Sequence, residues 1–188
     1  ISPNIKFIGN GGDKMIEAGV HVKNHIDTMS VMGFVEVLKN YNRLSKILND
    51  TVSEIQISRP NKLLLIDYPG FNLRLVKKIK HLDIPITYFI LPQTWAWKEN
   101  RILFMKENIS DFISIFPFET NWYNSKGLKT YYPGHPFLDE DYKLDKDKIF
   151  LKKHNLKSDD SLLVLLPGSR QQEICLLYTS DAADDTDS

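Results

Sequence analysis

Asp67 closes an apolar run and is followed by Tyr68-Pro69-Gly70. A carboxylate held at a strand end by a rigid turn can take a proton from a substrate hydroxyl, and partly apolar surroundings would lift its pKa towards a useful value. The same residues also describe an Asp that bonds the backbone of its own turn. Gly168-Ser169-Arg170 stands between a strand pattern and a helix start. Free N–H groups there attract anions and the Arg fork suits a phosphate, although an ordinary tight turn with an exposed Arg has the same pattern. It is not a P-loop, because no second Gly-Lys-Ser/Thr is present. Trp95 and Trp97 flank Ala96, with Lys98, Arg101, Phe104, Met105 and Lys106 behind them. Aromatic and basic residues mixed in this way suit a lipid headgroup or a membrane interface. A core corner, with one Trp packed under the sheet, would use the same residues.

Three weaker candidates complete the set. His135, within Pro133-Gly134-His135-Pro136, can act as acid, base or phosphate donor, or can shape the turn. Glu36 falls in the first turn of a helix pattern, where the helix dipole accounts for a carboxylate without a catalytic role. The glycine-rich GNGGD (residues 9–13) can cradle a phosphate or simply turn the chain. His21, His25, His81 and His154 show no paired ligand spacing and there is one cysteine, Cys175, so neither a zinc site nor an intrachain disulfide is expected.

The elements that must position these residues alternate. Residues 4–8 read as a short strand, followed by a glycine turn and a helix over 13–18. A long helix carries Phe34, Leu38, Tyr41, Ile47 or Leu48, Val52 and Ile55 at three- to four-residue spacing, and Arg59-Pro60 ends it. Leu63 to Ile66 is a four-residue apolar run, as in a strand buried on both faces. Pro69-Gly70 suits the centre of a type II turn, with Asn72 as N-cap of a helix over 73–82. Strands follow at 86–91, 111–116, 129–132 and 162–166, with helices at 98–108, 119–125 and 149–154. Strand–helix–strand alternation with short loops predicts an α/β fold, a parallel sheet covered by helices on both faces. In such sheets ligands gather beyond the C-terminal strand ends, where Asp67, the 92–101 loop, His135 and Gly168 to Arg170 all fall.

Composition excludes little. The 188 residues are 42% hydrophobic and 26% charged, ordinary for a globular chain. Formal net charge is zero, but residues 175–188 hold four Asp and no Lys or Arg; without them 24 basic residues face 20 acidic ones. That surplus is too small to argue for nucleic acid, and it suits a protein that meets phosphates or an anionic membrane surface. No apolar run approaches the ~18 residues of a spanning helix. The charged stretch 138–148 reads as a linker between a domain over 1–137 and a second one begun at 149–174. The final CLLYTSDAADDTDS has no period and reads as a non-native tail.

Six ordered segments resemble the lipid-A-disaccharide synthase family: SVMGFVEVL (30–38), LLIDYPGFNLRL (64–75), PQTWAWKENR (92–101), PFE (117–119), PGHPFLD (133–139) and LLPGSRQQEI (165–174). The resemblance implies a GT-B glycosyltransferase of two Rossmann-like domains. That family condenses UDP-2,3-diacylglucosamine with 2,3-diacylglucosamine 1-phosphate, inverting the anomeric centre, without a metal or other cofactor. It works at the inner face of the bacterial cytoplasmic membrane. Carried over by position, the resemblance makes Asp67 a candidate general base. It sets Gly168, Ser169 and Arg170 against the UDP phosphates, and puts Asn72, Trp95, Trp97 and Arg101 on the acceptor or membrane side. Two departures stand out: Asn10 occupies an apolar slot of the family's glycine-rich turn, and the family's first strand and most of its second domain are not matched. The chain alone is therefore expected to be inactive. Rival readings are another GT-B transferase using a UDP-sugar, or a non-catalytic lipid- or nucleotide-binding module. A plain NAD-binding fold lacks its G-x-G-x-x-G.

Overall fold

The computed structural model describes residues 5–29, 41–139, 148–157 and 159–166. The chain divides into two units, Ile1–Asp141 and Tyr142–Ser188.

The first unit opens with β1 (Ile8–Gly11), α1 (Asp13–Glu17) and β2 (His21–His25), the two strands pairing in parallel. The strand expected at 4–8 thus lies later, and Gly9 and Gly11, expected to turn the chain, are inside it. Its register shifts between Gly9 and Asn10, the kind of bulge glycine permits. Asn10, out of place in an apolar slot, is engaged on both sides: it donates to Thr51 Oγ1 (3.0 Å) and accepts from Asn24 Nδ2 (2.8 Å). β2, sequence HVKNH, has no apolar alternation to announce it.

The long helix is α2 (Tyr41–Ser58), burying Ile47, Leu48 and Ile55; the part expected over 30–40, with Glu36, lies outside the described residues. The main sheet follows: β3 (Leu63–Ile66), α3 (Pro69–Ile79), β4 (Ile86–Phe89), α4 (Arg101–Asn108), β5 (Asp111–Ile113), α5 (Pro117–Ser125) and β6 (Thr130–Tyr131). All pairings are parallel in the order β3-β4-β5-β6. Each connection between consecutive neighbours runs through one of α3, α4 and α5, and crossovers of one hand, the rule for parallel strands, put such helices on one face. A row of register partners, Leu65, Tyr88, Phe112 and Thr130, runs buried beneath them. Val76, Ile79, Met105 and Tyr123 close over that row from the helices. Each such side chain contributes about 1.5–3 kcal/mol by leaving water. Leu64 and Tyr131, on the opposite face, are exposed.

Two local expectations are corrected here. Pro69-Gly70 is not the centre of a turn: Pro69 is the first residue of α3, where its missing N–H costs nothing. Asn72 is therefore not the N-cap but sits in the first turn, buried.

In the second unit, α6 (Lys148–Lys153) matches the short helix expected there. The strand expected at 162–166 is absent: these residues form no ladder, and Leu163 and Leu166 are 86% and 88% exposed. An apolar run becomes a strand only beside a hydrogen-bonding neighbour, and none is present among the described residues of this unit. Gly168, Ser169 and Arg170, like the rest of 167–188, lie outside the described residues.

Candidate functional site

A cavity of about 280 Å³ opens at the C-terminal end of the main sheet. Asp67 and Pro69 line it from the β3 exit, Ile90 to Gln93, Trp97 and Arg101 from the β4 exit, and Ile115, Phe116 and Glu119 from the β5 exit. It lies at the lower end of the size range of small-molecule sites.

Asp67 and Tyr68 both adopt left-handed backbone, φ +45° and +46°. Such conformations cost about 1–3 kcal/mol each, least for Asp and most for bulky residues, and persist only where the surroundings over-determine them. Here they do. Asp67 N donates to Phe89 O (2.9 Å), pinning the β3 exit to β4. The Asp67 carbonyl accepts from the buried Tyr88 hydroxyl (2.8 Å) and from Asn72 Nδ2 (2.6 Å), and Asn72 also donates to Ile66 O (3.2 Å). Tyr68 stacks on Phe71 and donates through its hydroxyl to Met29 O (3.1 Å). The result is an exposed carboxylate on a fully tied backbone. Among the described residues nothing bonds the Asp67 carboxylate, so it does not cap its own turn and remains available to a ligand. Burial pushes the Tyr88 phenol far up, so the group that holds Asp67 stays a neutral donor at any working pH.

The 92–100 loop is bolted to α5. Thr94 Oγ1 donates to Tyr123 Oη (2.9 Å), and Tyr123 in turn donates to the Pro92 carbonyl. One turn earlier on the same face, Glu119 Oε1 accepts from Trp95 Nε1 (3.0 Å), while Phe118 meets the Trp95 ring edge-on at 5.2 Å. Glu99 ion-pairs with Lys126 just past the helix. Trp95 is thus fixed by its indole edge but stays 41% exposed, and Trp97 is 63% exposed with the Lys98 ammonium 4.6 Å above its ring. Neither is packed in a core corner. Arg101 opens α4 and lines the cavity; among the described residues it forms no ion pair. The helix dipole disfavours a cation in that position, which a bound anion would reverse.

His135 stands apart from the cavity lining. Its Nδ1 accepts from Phe137 N (3.2 Å) and its ring packs between Phe116 and Phe137, which is a turn-shaping role. Among the described residues no three His, Cys, Asp or Glu side chains group as metal ligands, and no helix is long and apolar enough to cross a membrane.

Glu119 is the residue that sequence reasoning missed. In the first turn of a helix behind a proline it reads as a dipole partner, yet it is only 2% exposed. Burial raises its pKa above the ordinary carboxylate range, with the Trp95 N–H partly opposing. A raised folded pKa means that the associated stability is full below the unfolded value of 4.5 and is lost as pH rises through the folded value. Glu119→Gln should therefore match the wild type in denaturant midpoint near pH 4 and exceed it at pH 8. Equal midpoints at both values would show that burial does not penalise the charge.

A model of the family described as lipid-A-disaccharide synthetase matches residues 2–183. Among curated proteins, the lipid-A-disaccharide synthase of Gluconobacter oxydans is 34% identical over 91% of this chain and 41% of its own length. That of Myxococcus xanthus is 35% identical over 92% of this chain and 45% of its own length. That of a Coxiella burnetii strain is 34% identical over 93% of this chain and 46% of its own length. The chain spans less than half the length of these relatives.

Proposed function

We propose, from the premise that the chain belongs to the lipid-A-disaccharide synthetase family, that it supplies the acceptor half of a glycosyltransferase active site. The complete enzyme condenses UDP-2,3-diacylglucosamine with 2,3-diacylglucosamine 1-phosphate, in lipid A synthesis. The acceptor's 6-hydroxyl oxygen attacks the donor's anomeric carbon from the face opposite UDP. The C1–O6 bond forms, the bond to UDP breaks with its electron pair leaving on the diphosphate, and the hydroxyl proton passes to Asp67.

The single observation that carries this reading is the Asp67 carboxylate, unengaged among the described residues, on a backbone held by Tyr88, Asn72 and Phe89 at the mouth of the cavity. A base whose backbone is fixed and whose carboxylate is free meets the geometric demand of proton abstraction. Arg101, at the dipole-positive end of α4, is the acceptor phosphate's partner. The exposed Trp95 and Trp97 with Lys98 face the anionic inner-membrane surface, where the enzyme acts peripherally. Gly168, Ser169 and Arg170 serve the UDP diphosphate from the second domain, begun after a linker over 138–148. Their N–H and guanidinium donors stabilise the leaving group.

The test is an assay of UDP release from the two acylated sugars, run on the complete reading frame and on the 188-residue chain alone. Disaccharide formation by the complete protein and none by the chain alone is expected. A complete protein that binds both sugars without turnover is a binding module and sinks the proposal.

A further inference from the structure

Glu119 has a carboxyl oxygen that the fold does not use. Oε1 accepts from the Trp95 indole, whereas no hydrogen bond engages Oε2 among the described residues. No fully occluded side-chain oxygen or nitrogen among the described residues lacks a partner, so Oε2 is not sealed off, and Glu119 is among the residues that line the cavity. A buried carboxyl left half-satisfied is costly, and the fold spends a Trp to hold it in place. Asp67 and Arg101 share the cavity with it.

The acceptor chemistry narrows what Oε2 can meet. This step rests on the acceptor reading proposed above. In 2,3-diacylglucosamine 1-phosphate, C1 carries the phosphate and the nitrogen at C2 and oxygen at C3 are acylated. Two hydroxyls remain, on C4 and C6, and they lie along the same edge of the sugar. With the 6-hydroxyl given to Asp67, the 4-hydroxyl is the one remaining ring hydroxyl that can donate to a carboxyl oxygen beside it, the amide N–H lying at C2, away from the C4–C6 edge.

We propose that Glu119 Oε2 receives the 4-hydroxyl of the acceptor sugar, making Glu119 a substrate-binding residue that reads the configuration at C4. Asp67 and Glu119 then hold the two free hydroxyls from opposite walls, β3 and α5, and orient the 6-oxygen for attack. A sugar with the 4-hydroxyl inverted would turn its donor away from Oε2, leaving a buried acceptor unpaired, which is how polar sites reject close analogues.

Three ligands and two proteins test this. Binding of 2,3-diacylglucosamine 1-phosphate, its 4-deoxy analogue and its 4-epimer in detergent is followed by tryptophan fluorescence, on the full chain and on Glu119→Gln. Gln keeps the size and still accepts from Trp95, so a purely structural Glu119 would leave binding unchanged. The wild type is expected to bind the 4-deoxy and 4-epimeric ligands about tenfold more weakly than the parent sugar, the usual cost of a lost charge-assisted bond. Glu119→Gln, whose amide N–H₂ replaces the accepting Oε2, is expected to bind the parent sugar about tenfold more weakly. A wild type indifferent to C4, or a variant that binds the parent sugar as tightly as the wild type, overturns the proposal while leaving the acceptor assignment intact. Failure of the wild type to bind any of the three overturns the acceptor assignment itself, and this proposal with it.

Discussion

Asp67→Asn in the complete enzyme is expected to lower kcat by about 10²–10⁴-fold, the usual contribution of a positioned general base, with little change in the KM of either sugar. Asn is the informative substitution because the position needs φ +45°, which Asn tolerates and Ala does not. The three bonds that fix residue 67 all use backbone atoms, so the substitution leaves the Tyr88, Asn72 and Phe89 contacts in place. What is lost is proton acceptance alone. Initial rates of UDP release, together with acceptor binding measured separately, distinguish the outcomes. A rate within threefold of wild type would remove Asp67 from the chemistry. An equal loss of binding and rate would make it a recognition residue.

The largest stability effect is expected at Tyr123. Its ring is fully buried and its hydroxyl joins Thr94 to the Pro92 carbonyl. Tyr123→Phe keeps the packing and deprives two buried partners of their bond, at a cost of about 1–3 kcal/mol. Tyr123→Ala adds a cavity beneath the sheet and should cost on the order of 3–5 kcal/mol in denaturant titration. The two variants also separate stability from site geometry. The Phe variant releases the start of the loop that carries Trp97 and leads to Arg101, so acceptor binding should weaken even where the protein is fully folded. A Phe variant with wild-type stability and binding would mean that Trp95 and Glu119 hold the loop unaided.

Much of this was legible from local pattern. The runs LLLI and ITYF are short, apolar and bounded by breakers, so β3 and β4 and the placing of Asp67 at a strand exit follow from the sequence alone. The ends of elements were less legible. Asn72 after Pro-Gly looks like a cap, but Pro69 already satisfies the start of the helix, which frees the Asn72 side chain to turn inward. Glu119 was hidden for a different reason: its burial and its bond to Trp95 span 24 residues of sequence, a separation no local period reports. The LLVLL stretch failed in the opposite sense, since its pattern is that of a strand while its neighbour is not among the described residues.

The sheet order β3-β4-β5-β6 has a kinetic consequence. Each strand pairs with the next one made, through a crossover of a single helix, so the sequence separation between paired residues is short throughout. Folds with local pairing close small loops first and fold quickly for their class. Every residue that lines the cavity falls between Asp67 and Glu119. The cavity can therefore assemble on the ribosome as this stretch emerges, before the residues that follow the sheet have been synthesised.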